Sequence, residues 1–190
     1  GMWGKILVAC IPAAIVGLLF DDKINELFYN PTVIAIALIV FGIAFIFIEN
    51  WHKSRKSEPR VNDTLQITYR DALIIGLFQL IAAIFPGTSR SGATIIGGLL
   101  IGLSRTTAAE FTFYLAIPVM FGASLLKLLK FGLAFTGTEL AILIVGMVVA
   151  FIVSILVIKF LMNYIKKHDF KPFGWYRIIL GILVFATMVF

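Results

Sequence analysis

ALIIGLFQLIAAIFPGTSRSGATIIGGLLIGL, residues 72–103, is apolar along almost its whole length, yet its middle is broken by Pro86, Gly87, Thr88, Ser89, Arg90, Ser91 and Gly92. The break leaves apolar pieces of 14 residues (72–85) and 11 residues (93–103). As helices these measure about 21 Å and 17 Å at ~1.5 Å per residue, against a bilayer core of about 30 Å. Neither piece spans alone. The region is either one long broken helix or a re-entrant hairpin that returns to the side it entered from.

The rest of the chain places this region in a bilayer. Of 190 residues, 61% are hydrophobic and 14% charged, with a mean hydropathy of +1.03; an average soluble domain is about 45–50% apolar and roughly a quarter charged. A soluble globule of this composition would expose large apolar patches, and 18 Phe exclude disorder. Further apolar segments run over 3–20, 32–48, 108–129, 140–158 and 175–190, with Trp3, Trp51 and Trp175 at segment ends, where interfacial aromatics belong.

Loop charge chooses between the two arrangements. Residues 49–71 carry Lys53, Arg55, Lys56, Arg60 and Arg70, and residues 159–177 carry Lys159, Lys166, Lys167, Lys171 and Arg177. Residues 21–30 hold only Lys23, and 132–139 hold no base. The positive-inside rule puts both basic loops in the cytoplasm. The spans 108–129 and 140–158 already make a return trip between them, so 72–103 crosses twice or not at all. Its halves are too short for two crossings. The expected organisation is one all-α polytopic membrane domain over 1–190: two spans in 3–48, a cytoplasmic loop at 49–71, a re-entrant hairpin at 72–103 and three spans in 108–190. Irregular backbone at membrane depth survives only inside protein or beside a wet cavity, so the hairpin should line a site.

Net charge is +6 with a pI near 9.6. The basic residues lie between apolar runs, which fits loops facing anionic lipid rather than nucleic acid. The single Cys10 excludes an intrachain disulfide. No cleavable leader is expected, because only four apolar residues, 6–9, separate Lys5 from Cys10 at the end of a lipobox-like stretch.

Arg90 is the only base between Asp71 and Arg105. An arginine at bilayer depth costs about 2.5–3.5 kcal/mol on insertion scales, a cost that a bound anion would offset. Thr88, Ser89, Ser91 and Thr94 supply hydroxyls, while Gly87 and Gly92 let the backbone bend and approach a ligand. The second half-helix is expected to open near Ser91 as N-cap, with its free N–H groups facing the tip. Arg's planar fork suits paired phosphate oxygens. The reading is a phosphate or carboxylate site; the plainer one has Arg90 snorkelling or meeting a helix C-terminus while the hydroxyls satisfy a kinked backbone. Gln79, two turns before Pro86, either faces the tip or makes an interhelical hydrogen bond. Glu110 either caps the helix opening after Thr106 and Thr107 or pairs with Arg105. His52 and His168 fall in the basic loops as interfacial residues. The pattern is no nucleotide P-loop, since Gly92 is followed by Ala93 and Thr94 rather than Lys.

The stretch from Pro86 to Thr94 resembles the undecaprenyl-diphosphate phosphatase family, the bacitracin-resistance membrane enzymes of bacterial cell-wall synthesis. The similarity extends to Gly76, Leu77, Phe78 and Gln79, to the stretch from Ala109 to Pro118, to Tyr176, Arg177 and Ile178, and to Ile11, Pro12, Ala13 and Ala14. The resemblance implies hydrolysis of undecaprenyl diphosphate to the monophosphate carrier and inorganic phosphate in the bacterial inner (plasma) membrane. It implies two inverted repeats, each a re-entrant hairpin plus three spans, of which this chain is expected to hold about five spans and the second hairpin. It implies that Arg90 clamps the diphosphate with Ser89 and Thr94 as hydrogen-bond donors; with the tip chemistry above, the expected catalytic residues are Arg90 and Ser89 and the expected substrate-binding residues Gly87, Thr88, Ser91, Gly92, Thr94 and Gln79. A divalent cation, Mg²⁺ or Ca²⁺, is implied, with its ligands and the base and nucleophile in a first hairpin that has no counterpart here. By repeat symmetry Gln79 stands where that hairpin has a Glu. The implied partners are a polyprenyl diphosphate lipid and the membrane, with no nucleic acid and with a homodimer compatible. Two rivals remain: a transporter or flippase for an anionic lipid, whose broken helices share this architecture, and an inactive fragment.

Overall fold

The computed structural model describes residues 1–54, 58–132 and 135–189, with side chains up to residue 188. Among these residues seven α-helices follow in order: α1 (Met2–Phe28), α2 (Pro31–Ser54), α3 (Tyr69–Ile84), α4 (Arg90–Leu100), α5 (Arg105–Phe131), α6 (Gly137–Lys167) and α7 (Lys171–Val189). One 3₁₀ turn, Thr64–Gln66, precedes α3. Among the described residues α1, α2, α5 and α6 are long and apolar enough to cross a membrane; α7, expected to span over 175–190, runs 19 residues. The protein is an all-α polytopic membrane protein. Arg55 and Lys56 of the 49–71 loop, part of the 132–139 loop, and Phe190 lie outside the described residues.

The interrupted region forms two short helices packed against each other, α3 of 16 residues and α4 of 11. α3 opens three residues earlier than the apolar run because Thr68 and Asp71 form a capping box. The Thr68 hydroxyl accepts the Asp71 N–H, and the Asp71 carboxylate accepts the Thr68 N–H at 2.9 Å and hydroxyl at 2.8 Å. α3 ends at Ile84, since Phe85 before Pro86 is held extended.

Both open ends of this hairpin sit together. The Arg60 N–H donates to the Gly102 carbonyl at 2.8 Å, and the Ser104 N–H donates to the Val61 carbonyl at 2.9 Å. The Arg60 guanidinium then ties the start of α3 to the end of α4, donating to Asp71 at 2.6 Å and to the Ile101 carbonyl at 3.2 Å. Further contacts gather the other polar ends here. Glu49 at the end of α2 accepts from Arg105 at the start of α5, and Lys53 meets Asp169 of the α6–α7 connection at 2.5 Å.

Burial alone would raise the Asp71 carboxyl, but the Thr68 hydrogen bonds and Arg60 hold it below the usual carboxylate value. A carboxyl held low in the folded state contributes stability that is full above its unfolded pKa and lost as pH falls through the folded one. Melting temperature should therefore drop on acidification below about pH 4. Asp71→Asn should melt lower at neutral pH and show a flatter acid limb; an identical limb would exclude Asp71 as its source.

The hairpin occupies the middle of the bundle. α3 packs on α1, and α4 lies between α5 and α2, with α7 along the far side of α2. Residues 92–99 of α4 are buried without a break, which is why that helix is built from Gly, Ala, Thr, Ile and Leu rather than with a polar face. α2 and α7 cross closely at Gly42 and Gly174, where a Cβ on either would come within 2.7–2.8 Å of the other's carbonyl oxygen. By contrast, residues 136–160 of α6 are exposed throughout, and so is most of α5 beyond Met120.

Candidate functional site

The turn at the closed end of the hairpin is built from residues few other types could replace. Gly87 has φ +90°, and a Cβ there would sit 2.7 Å from the Ile34 carbonyl oxygen of α2. The Thr88 N–H closes the turn on the Phe85 carbonyl at 3.3 Å. Ser89, the one non-glycine residue with positive φ among those described, sits at φ 60°, a conformation costing on the order of 1–3 kcal/mol.

Ser89, not Ser91, is the N-cap of α4: its Oγ accepts the Gly92 N–H at 3.2 Å. The turn finishes two residues before the expected cap, because this Ser reaches the amide three positions on while Ser91 already lies inside the first turn. The Arg90 and Ser91 amides, the first two of the helix, have no partner within it. Gly92 is needed for close approach, since a Cβ would meet the Phe45 ring at 2.9 Å and the Ser89 Oγ at 3.3 Å. Gly92→Val should cost about 1–3 kcal/mol by overpacking and dislodge the Ser89 cap; wild-type melting and anion binding in that variant would refute this account.

Arg90 lines a cavity of about 260 Å³ between α3, α4 and α5, together with Gln79, Ser91, Thr94 and Thr112. Its guanidinium makes no hydrogen bond or ion pair among the described residues. That leaves an arginine, at a helix N-terminus, facing a cavity with its donors free. Gln79 links two helices and also faces the cavity. It is 1% exposed, donates to the Ala9 carbonyl of α1 at 3.4 Å, and lines the cavity. Thr94 is committed to scaffolding: its hydroxyl lies 3.1 and 3.0 Å from the Arg90 and Ser91 carbonyls and 2.9 Å from the Thr112 hydroxyl. Thr88 is wholly buried, with its Oγ1 lacking a hydrogen-bond partner among the described residues.

Three residues outside the quoted motif shape the site. Thr112 of α5 joins the cavity wall through Thr94. Arg177, counted by sequence among loop bases, lies inside α7 and donates Nη1 to the Thr88 carbonyl at 3.0 Å and the Gly87 carbonyl at 3.5 Å. Its guanidinium lies 5.9 Å from the Phe45 ring centroid. Phe45 in turn packs on Gly92, so α2 supports the turn from below.

Glu49 and Arg105 form the buried ion pair of the opposite end. Glu49 is 1% exposed and accepts Arg105 Nε at 2.7 Å, Arg105 Nη2, and the Phe170 N–H at 3.4 Å. Arg105 thus meets Glu49 and not Glu110, and Ser104 caps α5 by accepting the Thr107 N–H. His168 stacks on Tyr164 at 4.4 Å, away from the cavity, and His52 lines a separate cleft with Glu58 and Arg60. Among the described residues no group of three or more His, Cys, Asp or Glu could hold a metal ion.

The chain is 70% identical over 183 residues to an undecaprenyl-diphosphatase of Desulfitobacterium hafniense, covering 96% of this chain and 65% of that protein. It is 67% identical over 190 residues to undecaprenyl-diphosphatase 1 of Clostridium acetobutylicum, covering 99% of this chain and 69% of that one. An undecaprenyl-diphosphatase of Enterococcus faecalis is 61% identical over 183 residues, with 96% of this chain and 65% of the relative covered. The chain therefore spans about two thirds of the length of these relatives. The family described as bacitracin resistance protein BacA matches residues 1–183, and the chain belongs to that family.

Proposed function

We propose that this chain supplies the diphosphate clamp of an undecaprenyl-diphosphate phosphatase in the bacterial inner membrane. The observation that carries the reading is the unpartnered Arg90 guanidinium beside the free amides of α4, facing the cavity. Arg90 grips the terminal phosphate through two oxygens, the Arg90 and Ser91 amides bind a third, and the Ser89 and Ser91 hydroxyls complete the shell. Such preorganised donors stabilise charge that builds on phosphoryl oxygens as the bond to the leaving phosphate lengthens. A nucleophile from outside the described residues bonds to the terminal phosphorus, the anhydride bond breaks, the monophosphate lipid leaves, and water then frees the bound phosphoryl group as inorganic phosphate.

The cavity wall contains no carboxylate among the described residues. The nucleophile, the base that takes its proton, and the ligands of the divalent cation implied by the resemblance are proposed to come from outside these residues. Tip position bears on access. Gly87 abuts Ile34, near the start of α2, and Phe85 packs edge-on against Phe28 at the end of α1. The clamp thus sits toward the end opposite the basic loops, and the headgroup is proposed to enter from that leaflet.

The test is a vesicle assay with a complete family member carrying this sequence, labelled polyprenyl diphosphate and Mg²⁺ or Ca²⁺. Released phosphate that disappears in Arg90→Ala supports the phosphatase reading. Lipid moved across the bilayer without cleavage would replace it with the transporter reading.

A further inference from the structure

We propose that Arg177 is a positioning residue that sets the peptide planes of the hairpin turn, so that the Ser89 amide rather than the Thr88 carbonyl is offered to an anion. The proposal rests on the clamp reading of Arg90. Arg177 belongs to α7, which packs on α2 and contributes nothing to the cavity wall. Its guanidinium nevertheless reaches past Phe45 to take the Thr88 and Gly87 carbonyls.

Both carbonyls accept from the same nitrogen of Arg177, which fixes the direction of two consecutive peptides. In a trans peptide the C=O and the following N–H point in opposite directions. Drawing the Thr88 carbonyl toward α7 therefore turns the Ser89 N–H away from α7. This orientation goes with the positive φ at Ser89, the Ser89 cap on Gly92, and the unpartnered Thr88 hydroxyl. Without a donor at Arg177, the 88–89 peptide is free to flip. A flip would point a carbonyl dipole at bound phosphate and break the cap.

Arg177 has a second effect through charge. Neither Arg90 nor Arg177 has an acidic partner among the described residues. Carbonyl dipoles spread the Arg177 charge but do not cancel it, so the turn carries the field of two cations, one that touches the anion and one behind the backbone.

The experiment uses this chain in detergent, with inorganic pyrophosphate as the probe, read by calorimetry and by amide hydrogen exchange. The reporter amides are Thr88, Gly92 and Ala93, whose hydrogen bonds depend on the turn. Arg177→Met should weaken pyrophosphate binding about tenfold, the worth of one charge-assisted hydrogen bond. It should also speed exchange at the three reporters roughly tenfold while α2 and α7 exchange as in wild type. Arg177→Lys, which can still bond one carbonyl, should recover part of the slow exchange. Arg90→Ala should lose binding yet keep the reporters slow. Wild-type exchange at the reporters in Arg177→Met would overturn the proposal, and so would equal acceleration along α2 and α7, the signature of a merely structural role. If wild type binds no pyrophosphate, the clamp reading fails by itself, while the exchange arm still decides whether Arg177 sets the turn.

Discussion

Arg90→Lys should lose on the order of 10³-fold in phosphate release from a polyprenyl diphosphate, although the charge is kept. An arginine aimed at a transferring phosphoryl group contributes about 10³–10⁵ in rate. Lys cannot replace it here, because an ammonium is a point charge without the planar fork that takes two phosphate oxygens at once. The environment sharpens the difference. The Arg90 side chain starts from the first residue of a helix buried from 92 to 99, so the backbone cannot shift to bring a shorter donor into place. The measurement is phosphate release by a full-length family member carrying this sequence, wild type beside Arg90→Lys and Arg90→Ala, with melting temperature as a folding control. Release by the lysine variant within a few-fold of wild type would end the bidentate clamp.

The second large effect is on stability and lies at the other end of the hairpin. Glu49→Ala should destabilise the protein by about 3–5 kcal/mol, the cost of leaving one member of a buried ion pair without its partner. Glu49 is 1% exposed and Arg105 27%, so Arg105 would keep some access to water and the lower part of that range is expected. Glu49 also takes the Phe170 N–H. Its loss therefore loosens α2 from both α5 and the α6–α7 connection. Removing both charges, as Glu49→Leu with Arg105→Met, should restore much of the stability, because two matched apolar side chains bury no unpaired charge. Thermal unfolding of the single and double variants checks this. A double variant as unstable as Glu49→Ala would mean that shape, not charge, is what the pair provides.

How much of this was legible depended on whether the deciding contact was local. The expected hairpin followed from two apolar pieces too short to span and from the basic loops on either side of them. Gln79 and the glycines could be placed because helix spacing and turn chemistry act over a few residues. The Thr68–Asp71 capping box was equally local, yet the hydropathy boundary at Ala72 hid it, since Tyr69 and Arg70 look like loop. Ser89 and Ser91 are both chemically able to cap α4; only the backbone at φ 60° decides between them. Thr112, Arg177 and Glu49 act across 18, 89 and 56 positions of sequence. Their partners are fixed by how helices pack, which no short pattern encodes. Glu49 looks like the first residue of a loop because an acid after an apolar run usually marks the interface, and here Arg105 folds over it instead.

The pairing of residues 60–61 with 102–104 holds both feet of the hairpin at one level, and α3, about 24 Å long for its 16 residues, sets how far its tip reaches. Arg90 is therefore gauged from the protein's own basic end rather than from the lipid around it. A thinner or thicker bilayer is met by tilt or local lipid deformation around the long helices, while the distance from feet to tip stays the same. Arg90 behaves as a mark on a rigid rod, standing at one depth in the protein as the surrounding membrane changes thickness with temperature or composition.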